Sequence, residues 1–174
     1  MLILETERLL FRQHVIDDLD AFCAMEADAD FRRYVGGRPR TREEAEKRFM
    51  LGLEPVKDRL SMWATVYKPT GEYIGRCGIY PHFKPDGGAY PGEASFGLYI
   101  APAYWGRGLA TEAGKAFIEF GFKELALNRI VTMIDTRHDA SVHLIKKLGF
   151  ELERTEEGEW RSFYHFELKN PGNN

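Results

Sequence analysis

The chain has 174 residues, 44% hydrophobic and 29% charged, which suits one water-soluble globular domain and excludes collagen-like, disordered and membrane-spanning classes. Its 24 Lys and Arg against 27 Asp and Glu leave a net charge of −3, so no overall positive field exists to gather nucleic acid or anionic lipid. Two cysteines, Cys23 and Cys77, have no metal-binding spacing and read as buried thiols, and Glu5 and Glu7 come too early for a signal peptide or membrane anchor. A reducing cytoplasm is the expected location.

Leu9–Arg12 reads as the first strand. Asp17 or Asp18 can cap a helix that carries Leu19, Phe22, Cys23 and Met25 at helical spacing. Thr41 and Glu44 form a capping box for a second helix, whose far end Phe49, Leu51 and Leu53 are expected to anchor. From residue 60 to 67 the period changes to two, a strand, and the turn residues 68–72 lead into a hairpin partner at 73–80. Residues 82–92, rich in Pro and Gly, read as a loop that delivers the chain to a strand at 93–100. Leu109, Ala113, Ala116, Phe117 and Phe120 then mark a helix, Arg129–Asp135 a strand, and 139–148 a short helix ended by Gly149. Residues 150–153 and 162–168 close the chain as a hairpin turning at 156–158. A mostly antiparallel first half and a strand-helix-strand crossover in the second predict one α+β domain with a mixed sheet over residues 1–169, followed by a disordered tail at 170–174.

The most informative stretch runs from Ala101 through Tyr104-Trp105-Gly106-Arg107-Gly108 to Ala113, between a strand and a good helix. Gly106 and Gly108 permit positive φ and close backbone approach, so N–H groups at the helix start can converge on one anion such as a pyrophosphate. The same pair also suits a plain strand-to-helix turn. Two other phosphate signatures are missing: there is no Gly-Lys-Ser/Thr, and no G-x-G-x-x-G followed by an acidic residue about 20 positions on.

Three blocks in order resemble the GNAT superfamily of acetyl-CoA-dependent N-acetyltransferases, in the branch that includes the ribosomal-protein N-terminal acetyltransferases. They are Glu5-Thr6-Glu7-Arg8 with Asp17-Asp18, the 102–113 loop, and His138-x-x-Ser141 through Lys147-Leu148-Gly149-Phe150. The resemblance implies a splayed, mostly antiparallel sheet flanked by helices, and transfer of an acetyl group from acetyl-CoA directly to a primary amine. It implies that the backbone of Arg107, Gly108, Leu109, Ala110 and Thr111 holds the pyrophosphate, with Arg107 adding charge. Leu98, Tyr99 and Ile100 would pair with the pantetheine arm, and His138 and Ser141 would face it. No divalent metal is expected, since amides neutralise the phosphates and no ligand cluster stands out.

Several positions depart from that pattern. Trp105 stands where Gln or Arg is frequent, His138 where Asn is frequent, and Ile145 where many members carry a Tyr that protonates the thiolate. Ser141 is left to supply a hydroxyl to the departing sulfur, although it also suits a helix turn. The strand position that often holds a Glu base is Ser95. Glu93, two residues earlier on the same strand face, is then the first candidate to take the amine's proton, and His82, with an ordinary pKa near ~6.5, the second. Residues 31–38 and 81–92 fall where the acceptor is recognised, and the slight acidic excess leans toward a cation such as a protein N terminus or polyamine. Acetyl-CoA and an amine are thus the expected partners, with homodimerisation left open. A catalytically inactive acyl-CoA-binding module is the alternative, motivated by Ser95 and Ile145.

Overall fold

The computed structural model describes residues 1–54 and 58–173. Strands β1 (Leu2–Glu5), β2 (Leu9–Arg12), β3 (Ser61–Tyr67), β4 (Glu72–Phe83), β5 (Ala89–Ile100), β6 (Arg129–Asp135), β7 (Glu151–Glu156) and β8 (Phe163–Lys169) form one sheet in the order β1-β2-β3-β4-β5-β6-β8-β7. Every neighbouring pair is antiparallel except β5 and β6, which run parallel and are joined through helix α4 (Leu109–Lys123). Among the described residues the other α-helices are α1 (Leu19–Ala27), the single turn α2 (Ala29–Arg32), α3 (Arg42–Leu51) and α5 (Asp139–Lys147). The mixed α+β architecture is as the hydrophobic patterning predicts, with the sheet open at both edges.

Neighbouring strand residues divide the core between two faces. Ile74 belongs to the main cluster with Phe11, Trp63, Ile79, Phe96 and Phe117, while Tyr73 packs against Phe22, Cys23, Ala45 and Phe49 of α1 and α3. Because successive strand side chains point to opposite faces, α1 and α3 cover one side of the sheet and α4 and α5 the other. Leu109, Ala113, Phe117 and Phe120 form the buried stripe of α4, with Phe11 meeting Phe117 edge-on at 4.7 Å between centroids. The Thr41–Glu44 capping box is present at the start of α3.

The differences from the sequence reading have local causes. Most of the stretch expected as a loop at 82–92 is hairpin: β4 runs on to Phe83, β5 starts at Ala89, and Lys84 N–H donates to Gly88 C=O at 2.6 Å. Tyr90 packs across the hairpin on His82, 4.7 Å between centroids, and side-chain packing there outweighs the local turn propensities. The Asp18 carboxylate does not cap α1; both its oxygens take the Arg12 guanidinium at 2.7 Å, and it accepts from the Val15 N–H at 3.0 Å. Leu51 is exposed and does not anchor α3, a task left to the buried Phe49 and the half-buried Leu53. The closing turn spans 157–162. Asn170, placed in the expected tail, donates its side-chain amide to Leu127 C=O at 2.9 Å, Pro171–Asn173 form one 3-10 turn, and Asn174 lies outside the described residues. β1 and α2 had not stood out in the sequence.

His14 lies between the α1–α3 layer and the sheet, 7% exposed, with ring centroids 5.7 Å from Phe49 and 5.9 Å from Tyr73. Burial pushes its pKa down to about 4, so the folded protein holds the neutral ring while an unfolded chain binds a proton from about pH 6.5 downward. The unfolded state gains the extra proton, so stability falls as pH drops, by about 2 kcal/mol from this group between about pH 7 and 5. Thermal melts of wild type and His14→Met across that range should show a smaller acid-induced drop in the variant; equal drops would show that His14 is not the group responsible.

Candidate functional site

β5 and β6 are hydrogen-bonded in register only at Glu93–Arg129, Ala94–Ile130 and Ser95–Val131. Beyond that point β5 follows β4 as far as Ile100, and β6 follows β8 as far as Asp135, so the two parallel strands part. At the fork the Thr132 hydroxyl donates to Phe96 C=O at 3.0 Å. Ahead of it opens a cavity of about 690 Å³, lined by both strands, the starts of α4 and α5, and residues between Asp30 and Gly36. The facing backbone edge of β5 between Leu98 and Ile100 thereby loses its strand partner and is open to an extended ligand, apart from Ile100 C=O, which is already occupied.

The start of α4 forms one end of the cleft. Gly108 occupies its N-cap with φ 76°, a conformation that a β-branched residue resists, and no side chain caps the helix. The N–H groups of the first turn therefore have no partner within the helix and, with the helix dipole behind them, form a place suited to an anion. The turn's shape is set from the far end of the sequence. Glu112 accepts from the Thr6 hydroxyl at 2.6 Å and the Arg8 N–H at 2.8 Å through one oxygen, and from Arg8 Nε at 2.7 Å through the other. Arg8 Nη1 also donates to Arg107 C=O at 2.9 Å, and Trp105 Nε1 donates to Ile100 C=O at 2.7 Å. Two of the blocks singled out in the sequence, about a hundred residues apart, thus form one clamp.

At the opposite wall, His138, Ser141 and Ile145 project from the start and body of α5. The His138 ring stacks on Tyr34, 4.3 Å between centroids, and burial lowers its pKa, which favours the neutral ring. Asp135, fully buried at the end of β6, accepts from Arg137 at 2.8 and 2.9 Å and from Arg161 at 2.7 and 2.9 Å. Those guanidiniums, Arg137 first, hold its carboxyl well below the usual range against the opposing effect of burial. Arg161 Nη2 also donates to Tyr34 C=O at 2.8 Å. The α2–α3 connection is therefore pinned over the cleft by one stacked pair and one shared arginine.

Leu98, Tyr99, Ile100, Gly108, Leu109, Ala110, Thr111, His138 and Ser141, chosen from the sequence, all line this single cleft. Arg107 does not: its guanidinium folds back to Ala103 C=O at 2.9 Å and over the Tyr104 ring. The proton acceptors expected at Glu93 and His82 are also outside it, which corrects the strand-face inference. Glu93 sits where β5 and β6 are still paired, and its carboxylate is occupied by His82 Nδ1 at 2.8 Å and Arg129 Nη2 at 3.2 Å. Arg129 in turn meets Glu167 and Glu153 at 2.9 and 3.1 Å, a structural knot behind the fork. Asp135 and Arg161 went unnoticed in the sequence, and Tyr34 stood out only as part of the 31–38 acceptor segment, because Arg161 reaches Asp135 and Tyr34 from 26 and 127 residues away. Among the described residues no group of His, Cys, Asp or Glu side chains is placed to hold a metal ion.

Comparison with known proteins agrees with this geometry. The family model described as an acetyltransferase (GNAT) domain matches residues 8–151. The uncharacterized N-acetyltransferase p20 of Bacillus licheniformis is 31% identical over 156 residues, covering 86% of this chain and 83% of its own length. A spermidine N(1)-acetyltransferase of Escherichia coli is 38% identical over 61 residues, 35% of this chain and 33% of that protein. The crystal structure of a GNAT-family acetyltransferase from Bacillus anthracis superposes with a TM-score of 0.80 at 21% identity, covering 98% of this chain and 99% of the other. With the parted strands, the glycine-capped helix and a family match over most of its length, the chain belongs to the GNAT acetyltransferase family.

Proposed function

We propose that the protein is an N-acetyltransferase that moves an acetyl group from acetyl-CoA directly to a primary amine, of a protein N terminus or a small molecule, as in the branch containing the ribosomal-protein acetyltransferases. The observation that carries this reading is the joining, in one cleft, of an unpaired strand edge to an uncapped helix N terminus. An elongated ligand with a diphosphate at one end and an amide-bearing arm at the other fits both features. Acetyl-CoA supplies an activated acetyl thioester when bound; the rest of the chemistry is positioning.

In this reading the first-turn N–H groups of α4 neutralise the diphosphate, and the edge of β5 at Leu98, Tyr99 and Ile100 aligns the arm toward the fork. A nitrogen–carbon bond to the amine forms, the carbon–sulfur bond breaks, and the proton that the amine gives up ends on the departing thiolate, leaving an amide and a free thiol. Ser141 donates its hydroxyl to the sulfur as negative charge develops there, which lowers the barrier because the bond strengthens along the reaction. With Glu93 held in the Arg129 knot, the neutral amine comes from its own equilibrium in solution. The inactive-module alternative keeps one specific support: Ile145, where many relatives carry Tyr, is 4% exposed and contributes to the core.

Gly108→Val should abolish acetyl-CoA binding in isothermal titration while leaving the far-ultraviolet spectrum unchanged, because its side chain opposes the positive φ. Undiminished affinity would dismiss the α4 terminus as the diphosphate site. In an amine-panel screen read by mass spectrometry, wild type should acetylate at least one amine with a rate that climbs as the amine deprotonates. Ser141→Ala should lower kcat by about tenfold at every pH, and Glu93→Gln should keep the wild-type pH profile. Acetyl-CoA binding without any acetylation would favour the inactive module.

A further inference from the structure

On the α1–α3 side of the sheet, next to the cleft, the fold gathers positive charge that the transfer reading leaves unexplained. Glu26 of α1 is fully buried. Its Oε1 lies 2.7 Å from Arg76 Nη2, and its Oε2 lies 3.1 Å from Arg40 Nη1 and 3.2 Å from Arg32 Nη1. Arg48, exposed on α3, forms no ion pair among the described residues. Desolvation, and then the nearness of Arg76 and Arg40, lower its pKa. One carboxylate thus serves three guanidiniums, with a fourth near enough to feel them. Like charges crowded in a medium of reduced dielectric repel, and a single carboxylate leaves the buried Arg76 and Arg32 with a surplus of positive charge that an incoming anion would balance.

The donors are not used up by Glu26. Arg76 is 5% exposed, and its Nη1 is buried without a hydrogen-bond partner among the described residues. Arg40 Nη1, although at ion-pair distance from Glu26, is not aligned for a hydrogen bond. Arg76 lies between the rings of Phe22 and Tyr99, 4.9 and 5.1 Å from their centroids, contacts that attract a cation without neutralising it. Tyr99 is also the link to the cleft. It pairs with Arg76 across β4 and β5, and with Gly97 it lines the cavity ahead of the fork. Phe31, next to Arg32, lines the same cavity.

We propose that the acceptor of this protein is an amine that also carries a carboxylate, held by Arg76 and Arg48 while its amino group is presented at the fork beside Gly97 and Tyr99. The proposal rests on the acetyl-transfer reading and narrows it. A bare polyamine approaching past Tyr99 meets like charge, whereas a carboxylate on the same molecule is drawn in and delivers its amine. Arginine suits the task because its planar fork pairs two donors with two carboxylate oxygens.

The test uses the whole protein with acetyl-CoA and matched acceptors that differ only in the carboxylate: amino acids with several amine-to-carboxylate spacings, their amides, and spermidine as the polycation. The free amino acid has the more basic amine, so any preference for it does not come from a larger neutral fraction. At the best spacing, kcat/KM for the acid should exceed that for its amide by about tenfold or more. Arg48→Met should reduce that ratio to near one by raising KM for the acid alone, with acetyl-CoA affinity and melting temperature unchanged. Arg76→Lys, which keeps a charge for Glu26 but loses the fork, should lower the ratio in the same way. Amides or spermidine used as well as the acids, or a preference that survives both substitutions, would overturn the proposal. If acetyl-CoA binds and neither acids nor amides nor spermidine are acetylated, the transfer reading falls, and the carboxylate reading with it.

Discussion

Everything functional in this fold depends on two parallel strands that hold together for three residue pairs and then separate. Each strand is committed elsewhere: β5 to β4 along most of its length, β6 to β8 over all seven of its residues. Twisted sheets tolerate such a split when both halves are independently paired and covered, since no backbone edge is then buried without a partner of some kind. The main core beneath, from Phe11 and Ile79 to Phe117 and Phe166, spans both halves and keeps the opening fixed. The knot of Arg129 with Glu93, Glu153 and Glu167 ties the closed end, and the Arg161–Asp135 pair braces the open one. Preorganisation of this kind lets a ligand bind without ordering the protein that receives it.

The cleft was legible in the sequence where backbone conformation demanded a particular residue. Gly108 must be glycine-like to start α4 with positive φ, and Gly149 closes α5 for the same reason, so both element boundaries and the anion-facing helix start could be read directly. The amphipathic stripe of α4 and the Thr41–Glu44 box were equally local. Side-chain placement across the sheet was not. Period two correctly describes the faces of β5, yet it says nothing about where along the strand the sheet opens, and Glu93 lies on the closed side of that point. The hairpin at 82–92 was hidden by Pro and Gly, whose turn signals were outweighed by Tyr90 packing on His82. Arg161, Asp135 and Tyr34 meet only after the chain has folded, and no spacing rule joins residues so far apart.

Charge is distributed so that its sign changes around the cleft while the whole chain stays nearly neutral. The helix α4 terminus offers uncapped donors, the Asp135 carboxylate is fully neutralised by two arginines, and three arginines on Glu26 leave a surplus beneath Tyr99. A net charge of −3 conceals this surplus, because exposed acids such as Glu43, Glu119 and Glu156 are paired on the surface, where they contribute little to any site. On the proposed reading, the local field next to the cleft, and not the overall balance, governs which amines approach.

The most direct test of the account is a crystal structure of the protein with a non-hydrolysable acetyl-CoA analogue. The diphosphate should accept hydrogen bonds from the first-turn N–H groups of α4 between Gly108 and Thr111, and the arm should pair with the β5 edge at Leu98 to Ile100, its sulfur near Ser141. A diphosphate bound anywhere else, or a β5–β6 fork closed by continued strand pairing, would contradict the claim that the parted strands are the cofactor's seat.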